Sequence, residues 1–232
     1  MTMRTSWQFE LPQLLILSGL LVWAGLLWAN MSDIQMIAVR WDGQGNATGY
    51  AGRETLFLVP FVALATYLLL RFAPLVDPLR ANYRLFGEAY AIVRLAIVVA
   101  LGAMASVIFL IASGLPVDAV AVIKAVLGVM FTVIGAVMGK IRPNWFVGIR
   151  TPWTLTSKRS WIQTHRLGGF VFVAIGLAFL ASIPFRSALA INLIVGLALA
   201  ASVGLVIYSY RVWRTDPDRS LALLSRPADD QA

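Results

Sequence analysis

His165 is the only histidine in the chain, and Trp161 precedes it by four residues. On a helix that spacing places the two rings on one face. A lone imidazole can accept a proton near neutral pH. Catalysis, however, needs a nucleophile, a base and a third group that orients the base. The chain has no cysteine to serve as nucleophile or thiolate ligand, and carboxylates are few on the side of the chain that carries His165. A hydrogen-bonded structural role is therefore the better reading of this histidine. No catalytic residue, cofactor or metal site is expected, and the chain reads as non-enzymatic.

Three further polar residues, Arg94, Lys124 and Asn192, lie inside long apolar runs. Charge within a membrane is expensive, so such residues need a partner or a way out. Arg94 and Lys124 can snorkel to headgroups, pair with a carboxylate, or line a polar cavity. Glu88 and Asp118 precede them by six residues each. That is not a shared helical face, so partners on other helices are at least as good. A small transporter, channel or lipid-handling protein with a polar cavity around Arg94 and Lys124 is the alternative that these residues raise.

The elements that must position these groups are membrane spans. Of 232 residues, 59% are apolar and only 13% charged, where soluble domains carry about a quarter. Such a chain cannot cover its surface with charge. Spans need about 20 apolar residues each. Six fit, at approximately 11–29, 54–72, 89–113, 117–139, 169–183 and 188–210. Pro12 suits the entry of the first. Pro60 should kink the second, and residues 71–74 should end it. The expected fold is a single all-α transmembrane domain covering 1–232, with no cleaved signal peptide.

Cations then set the orientation. Arg4, Arg71, Arg80, Arg84, six Lys and Arg in 140–169, Arg211, Arg214, Arg219 and Arg226 fall on one side. Arg40, Arg53 and Arg186 fall on the other. Both termini and the loop 140–168 are expected in the cytoplasm. The loop 30–53 is expected outside. The net charge of +8 then reflects topology and lipid headgroups, with no direct nucleic-acid binding.

Within the outer loop, residues 36–41 are β-prone and 42–46 are turn-forming, which predicts a small hairpin or ordered loop. Small residues mark close helix approach. Gly135 and Gly139 form one such pair, and Gly196, Ala200 and Gly204 form a stripe that bundle packing explains and that also permits a homodimer. The cytoplasmic loop carries Pro143 and Pro152, an extended Thr151 before proline, and Thr154, Thr156 and Ser157 as N-caps for a helix near Lys158. An interfacial belt explains each Trp and Arg singly but not the whole segment.

That segment resembles the SdpI family of bacterial membrane proteins. The resemblance rests on Asn144, Gly148, Ile149, Arg150, Thr151, Pro152, Trp153, Thr154 and Leu155, then Trp161, Thr164, His165, Arg166, Gly168 and Gly169. In the outer loop, Asp33, Ile34, Trp41, Asp42, Gly45, Gly49 and Tyr50 are similar to the N-terminal domain of unknown function found in longer members. The resemblance implies a six-span protein of the bacterial inner membrane that gives immunity to an extracellular toxin peptide, signals by capturing a cytoplasmic repressor, or both. It also implies that Asn144, Gly148, Arg150, Thr151, Pro152, Trp153, Trp161, Thr164, His165 and Arg166 form the functional core. The expected partners are membrane lipids, a toxin peptide outside and a repressor-type regulator inside. The bet for the core is a structural clasp, with Arg150 on backbone carbonyls and Trp153 and Trp161 at the headgroup level.

Overall fold

Among the described residues of the computed structural model, six helices are long and apolar enough to cross a membrane. The structure describes residues 7–219. Arg4 and Arg226, counted in the charge sorting, lie outside the described residues. In chain order the elements are α1 (Trp7–Asn30), β1 (Ile37–Trp41), β2 (Ala47–Ala51), α2 (Leu58–Val76), α3 (Tyr83–Ala112), α4 (Ala119–Met138), the single turn α5 (Pro152–Leu155), α6 (Lys158–Ala181) and α7 (Ala188–Arg214). The alternation of spans puts the β-hairpin at one end of the bundle and the 140–157 segment at the other. These are called the hairpin end and the motif end below.

Three of the long helices, α4, α6 and α7, start where short polar side chains satisfy the free amides of a first turn. Asp118 accepts from Ala121 N–H at 3.0 Å to open α4. Ser157 accepts from Ser160 N–H at 2.9 Å to open α6. Ser187 opens α7 by accepting from Ala190 N–H.

Several boundaries differ from the sequence expectation. α1 begins at Trp7, so Pro12 lies inside the helix and not at its entry. Pro60 is the third residue of α2, where an amide has no helical partner to lose, so no kink is required there. α2 runs on through Pro74 to Val76 instead of ending at 71–74, and a 3₁₀ turn, Arg53–Phe57, precedes it. α3 starts at Tyr83, and Phe86 departs from helical geometry (φ −136°, ψ 23°) near its beginning. α6 starts at Lys158 and continues through Gly168 and Gly169 without interruption, so motif residues and the fifth span share one helix.

Glycine sets the closest helix pair, α4 on α6. A Cβ on Gly135 would lie 2.7 Å from the Gly169 carbonyl, and one on Gly176 would lie 2.6 Å from the Gly128 carbonyl. The two contacts sit seven residues apart on each helix, which keeps the backbones together over two turns. Gly139 faces α6 more loosely: a Cβ there would meet the Arg166 side chain at an ordinary contact of 3.6 Å. The α7 stripe is a correction. Nothing lies within 4 Å of a Cβ added at Gly196 or Gly204, and Ala200 is exposed. That face is not used in bundle packing.

The core divides along the bundle axis. At the motif end Tyr83, Phe86, Tyr90, Val137, Ile141 and Trp161 form one buried cluster. At the hairpin end Leu20, Ala24, Ile37, Leu56, Ala105 and Phe109 belong to another, so the first strand is anchored into the bundle by Ile37.

Candidate functional site

The motif end is held by side chains that bind backbone. His165 is fully buried. Its Nε2 accepts the Ile149 N–H at 3.0 Å, and its Nδ1 lies 2.9 Å from the Trp161 carbonyl. Only a neutral ring with its hydrogen on Nδ1 satisfies both contacts. The ring stacks on Trp161, with centroids 4.0 Å apart and planes 18° apart. Trp161 Nε1 donates to the Ile141 carbonyl at 2.8 Å. The shared helical face is therefore real, but Trp161 is fully buried in the bundle and its ring is not exposed at the surface. Among the described residues, the ring nitrogens of His165 contact backbone and no carboxylate.

Gly148 makes this possible twice over. Its φ is +115°, a backbone state that favours glycine. It also lies directly against the imidazole.

Asn144 is fully buried and uses its entire hydrogen-bonding capacity. Nδ2 donates to the Arg142 and Val147 carbonyls, both at 2.9 Å. Oδ1 accepts from Phe146 N–H at 2.9 Å and Val147 N–H at 2.7 Å. The loop is then tied to the α2–α3 connection. Asp77 Oδ2 accepts from Trp145 N–H and from the Tyr83 hydroxyl, both at 2.9 Å, while Oδ1 accepts from Leu79 N–H at 2.7 Å. Asn82 Nδ2 donates to the Pro143 carbonyl at 2.8 Å.

The remaining motif residues divide between clasp and surface. Thr151 caps α5: its hydroxyl accepts from Thr154 N–H at 3.1 Å, while its own N–H donates to Thr154 Oγ1 at 2.9 Å. The same hydroxyl reaches Ser209 of α7 at 3.2 Å. Pro152 is the first residue of α5 and is exposed. Trp153 packs edge-on to Tyr210 at 5.2 Å. Thr164 is fully buried, and its hydroxyl has no partner among the described residues. Arg150 is exposed and donates to the Trp145 carbonyl. Arg166 is exposed beside Gly139.

The intramembrane cations find their partners on other helices, the option that the six-residue spacing to Glu88 and Asp118 left open. Arg94 pairs with Glu10 of α1, not with Glu88, which is exposed. The contact is bidentate, 2.9 Å from Nη1 to Oε1 and 3.1 Å from Nη2 to Oε2. The Tyr67 hydroxyl donates to the same carboxylate at 2.9 Å, and Arg71 Nε is 3.8 Å away. Lys124 pairs with no carboxylate among the described residues. Its Nζ donates to the carbonyls of Ser182 at 3.0 Å and Phe185 at 2.7 Å, at the C-terminus of α6. A cation suits that helix end. Asp118 instead caps α4 and pairs with Arg186 at 2.8 Å. Asn192 is exposed on α7. Arg94 sits in the motif half of α3 and Lys124 in the hairpin half of α4. They do not line one cavity.

At the hairpin end, β1 and β2 pair antiparallel from Ile37 opposite Ala51 to Trp41 opposite Ala47. Asp42 builds the turn: its carboxylate accepts from Gln44 N–H, Asn46 N–H and Asn46 Nδ2 at 2.9–3.0 Å. These bonds, led by that from the Asn46 side chain, hold its pKa below the ordinary carboxylate value. Gly45 takes a positive φ of 96°. Arg53 secures the root of the hairpin. It pairs with Asp33, donates to the Met31 carbonyl at 2.9 Å and lies 4.3 Å over the Trp28 ring. Trp41 is half-buried and Tyr50 is exposed.

Sequence reasoning passed over Asp77, Asn82, Tyr83, Ser209 and Glu10 as members of these networks. A signal existed for Glu10 and Gln13, two polar residues three apart in a first span that otherwise has an apolar core. Asp77 before Pro78 resembled an ordinary helix end.

Six apolar helices with a hydrogen-bonded polar clasp at one end and a hairpin at the other define a multi-pass membrane protein. Residues 140–209, the clasp and the two helices after it, match the SdpI/YfhL protein family. The chain is also 25% identical over 178 residues to the immunity protein SdpI of Bacillus subtilis (strain 168), which covers 77% of this chain and 84% of that protein. The chain is thus similar to SdpI-family proteins, most specifically over its motif end. No solved structure matches it.

Proposed function

We propose that this protein is a non-enzymatic immunity protein of the bacterial inner membrane, with the hairpin outside and the motif end in the cytoplasm. The observation that carries this reading is the way the motif spends its polar atoms. Both nitrogens of His165 and all four bonds of Asn144 hold backbone, which leaves a clasp and no acid–base pair. The orientation is supported by Arg71, Arg80, Arg84, Lys140, Arg142, Arg150, Lys158, Arg159 and Arg166 lying toward the motif end, against Arg40, Arg53 and Arg186 at the hairpin end. The name of the Bacillus subtilis relative supports immunity as the activity. The exposed Arg142, Arg150 and Arg166 offer a cationic face to a cytoplasmic regulator, which is how a signalling role would work.

Expression of the chain in a sensitive bacterial host should protect against envelope-active peptides, read as survival. Unchanged killing curves with the protein present in the membrane would remove the immunity reading. Because the chain has no cysteine, Asn46→Cys and Trp145→Cys give single reporters. An impermeant maleimide should label only the first in intact cells.

A further inference from the structure

Residues 39–43 border a cavity of about 420 Å³ at the hairpin end. Its other walls come from α4, α6 and α7, among them Lys124, Leu127, Phe179 and Asn192. Residues 39–41 belong to β1 and 42–43 to its turn, and three consecutive strand residues cannot all point side chains into one space, because successive side chains alternate between two faces. What β1 presents to the cavity is its edge. β2 occupies the opposite edge. Among the described residues, the only other backbone bonds at this strand belong to its turn, Asp42 N–H to the Asn46 carbonyl and Gly45 N–H to the Asp42 carbonyl. The free edge therefore has unspent amides and carbonyls, the condition under which an extended chain adds as a new strand.

The hairpin is seated firmly enough to act as a template. A Cβ on Gly43 would lie 2.5 Å from Ala188 Cα, so the turn rests directly on the start of α7. The charge of the site is cationic in its free groups. The Arg40 side chain has no hydrogen bond or ion pair among the described residues, whereas the Asp42 carboxylate is consumed within its own turn. Lys124 is 3% exposed and uses two of its three N–H donors on carbonyls. Leu127 and Phe179 make the deeper wall apolar.

We infer that this cavity takes an extended peptide as a third strand on the free edge of β1, with an apolar side chain toward Leu127 and Phe179 and a carboxylate at Arg40 and Lys124. The inference rests on the hairpin end being the face that meets a peptide. A strand edge selects a peptide over a phospholipid, since an acyl chain has no amides to pair.

The test uses the full chain in phosphatidylcholine nanodiscs, with Ile191→Cys carrying one environment-sensitive dye. The probe is a Leu- and Val-rich hexapeptide with a free C-terminal carboxylate. It should shift the dye saturably. Amidating its terminus, N-methylating alternate backbone amides, or introducing Arg40→Gln should each weaken binding about tenfold or more, because each removes a charge-assisted or ladder hydrogen bond. Absence of any shift overturns the proposal, as does equal binding by the N-methylated peptide. A shift produced by phosphatidylglycerol in the disc, and not displaced by the peptide, reassigns the cavity to lipid. Survival of cells is scored in parallel. Strand addition without protection keeps the cavity and removes the immunity reading; protection without strand addition does the reverse.

Discussion

Gly148 and His165 touch so closely that a Cβ on residue 148 would fall 2.3 Å from the imidazole Nε2. That nitrogen accepts the Ile149 amide, so a side chain at 148 would push out the acceptor that its own neighbour needs. The φ of +115° adds backbone strain for any residue with a Cβ, about 1–3 kcal/mol. An unpaired buried amide adds about 1–3 kcal/mol more. Gly148→Ala should therefore lower the thermal unfolding midpoint in detergent and reduce membrane abundance. An unchanged midpoint would mean that the loop has room this geometry does not show.

The same contact fixes a tautomer. His165 donates from Nδ1 to the Trp161 carbonyl and accepts at Nε2. Nitrogen-15 NMR of the histidine-labelled chain at neutral pH should show a protonated Nδ1 and an unprotonated Nε2. Because this is the only histidine, the spectrum has one assignment. A protonated Nε2 would break the bond to Ile149 and reopen a role in proton transfer.

Asn144 gives a test in which shape is held constant. Asn144→Asp keeps the two acceptor bonds from Phe146 and Val147 but loses both donors, and it aims a charge at the Arg142 and Val147 carbonyls. The expected loss is about 2–4 kcal/mol, since two carbonyls lose partners in a buried site. The rest of the bundle should remain folded. Hydrogen exchange at residues 142–149 should rise well before that of α4 and α6, and uniform exchange would argue against a locally clasped loop.

The six spans, the hairpin and the helix starting at Lys158 were legible because hydropathy, turn residues and capping side chains are local signals. Ser157 and Asp118 cap helices for reasons visible within four residues. The partners of Arg94 and Lys124 were not legible, because neither is local. Glu10 is 84 positions from Arg94, and the carbonyls that Lys124 binds belong to residues 58 and 61 positions away. A backbone carbonyl also leaves no trace in residue type. The burial of Trp161 was missed for a related reason: aromatic residues near a span end suit a headgroup belt, and only packing against α3, α4 and the 140–157 loop covers it. The Gly128–Gly176 seam was hidden because glycine spacing shows that a helix can be approached but not by which partner. The outward-facing α7 stripe is the same ambiguity with the opposite outcome.

The Glu10–Arg94 pair yields a prediction with an internal control. Both side chains are buried, at 5% and 6% exposure, and the carboxylate also receives the Tyr67 hydroxyl. Removing one partner of such a pair leaves an uncompensated buried charge and costs about 3–5 kcal/mol. Replacing both with uncharged residues of similar size is often near neutral, because the desolvation penalty disappears with the charges. Glu10→Gln and Arg94→Met should thus each lower the unfolding midpoint strongly, and the double variant should recover most of the loss. The two loops at opposite ends should remain as protected from proteolysis in the double variant as in the parent. Additive losses would mean that each group stabilises the bundle through separate contacts. If the double variant is stable but no longer protects cells, the pair serves function beyond holding α1 against α3.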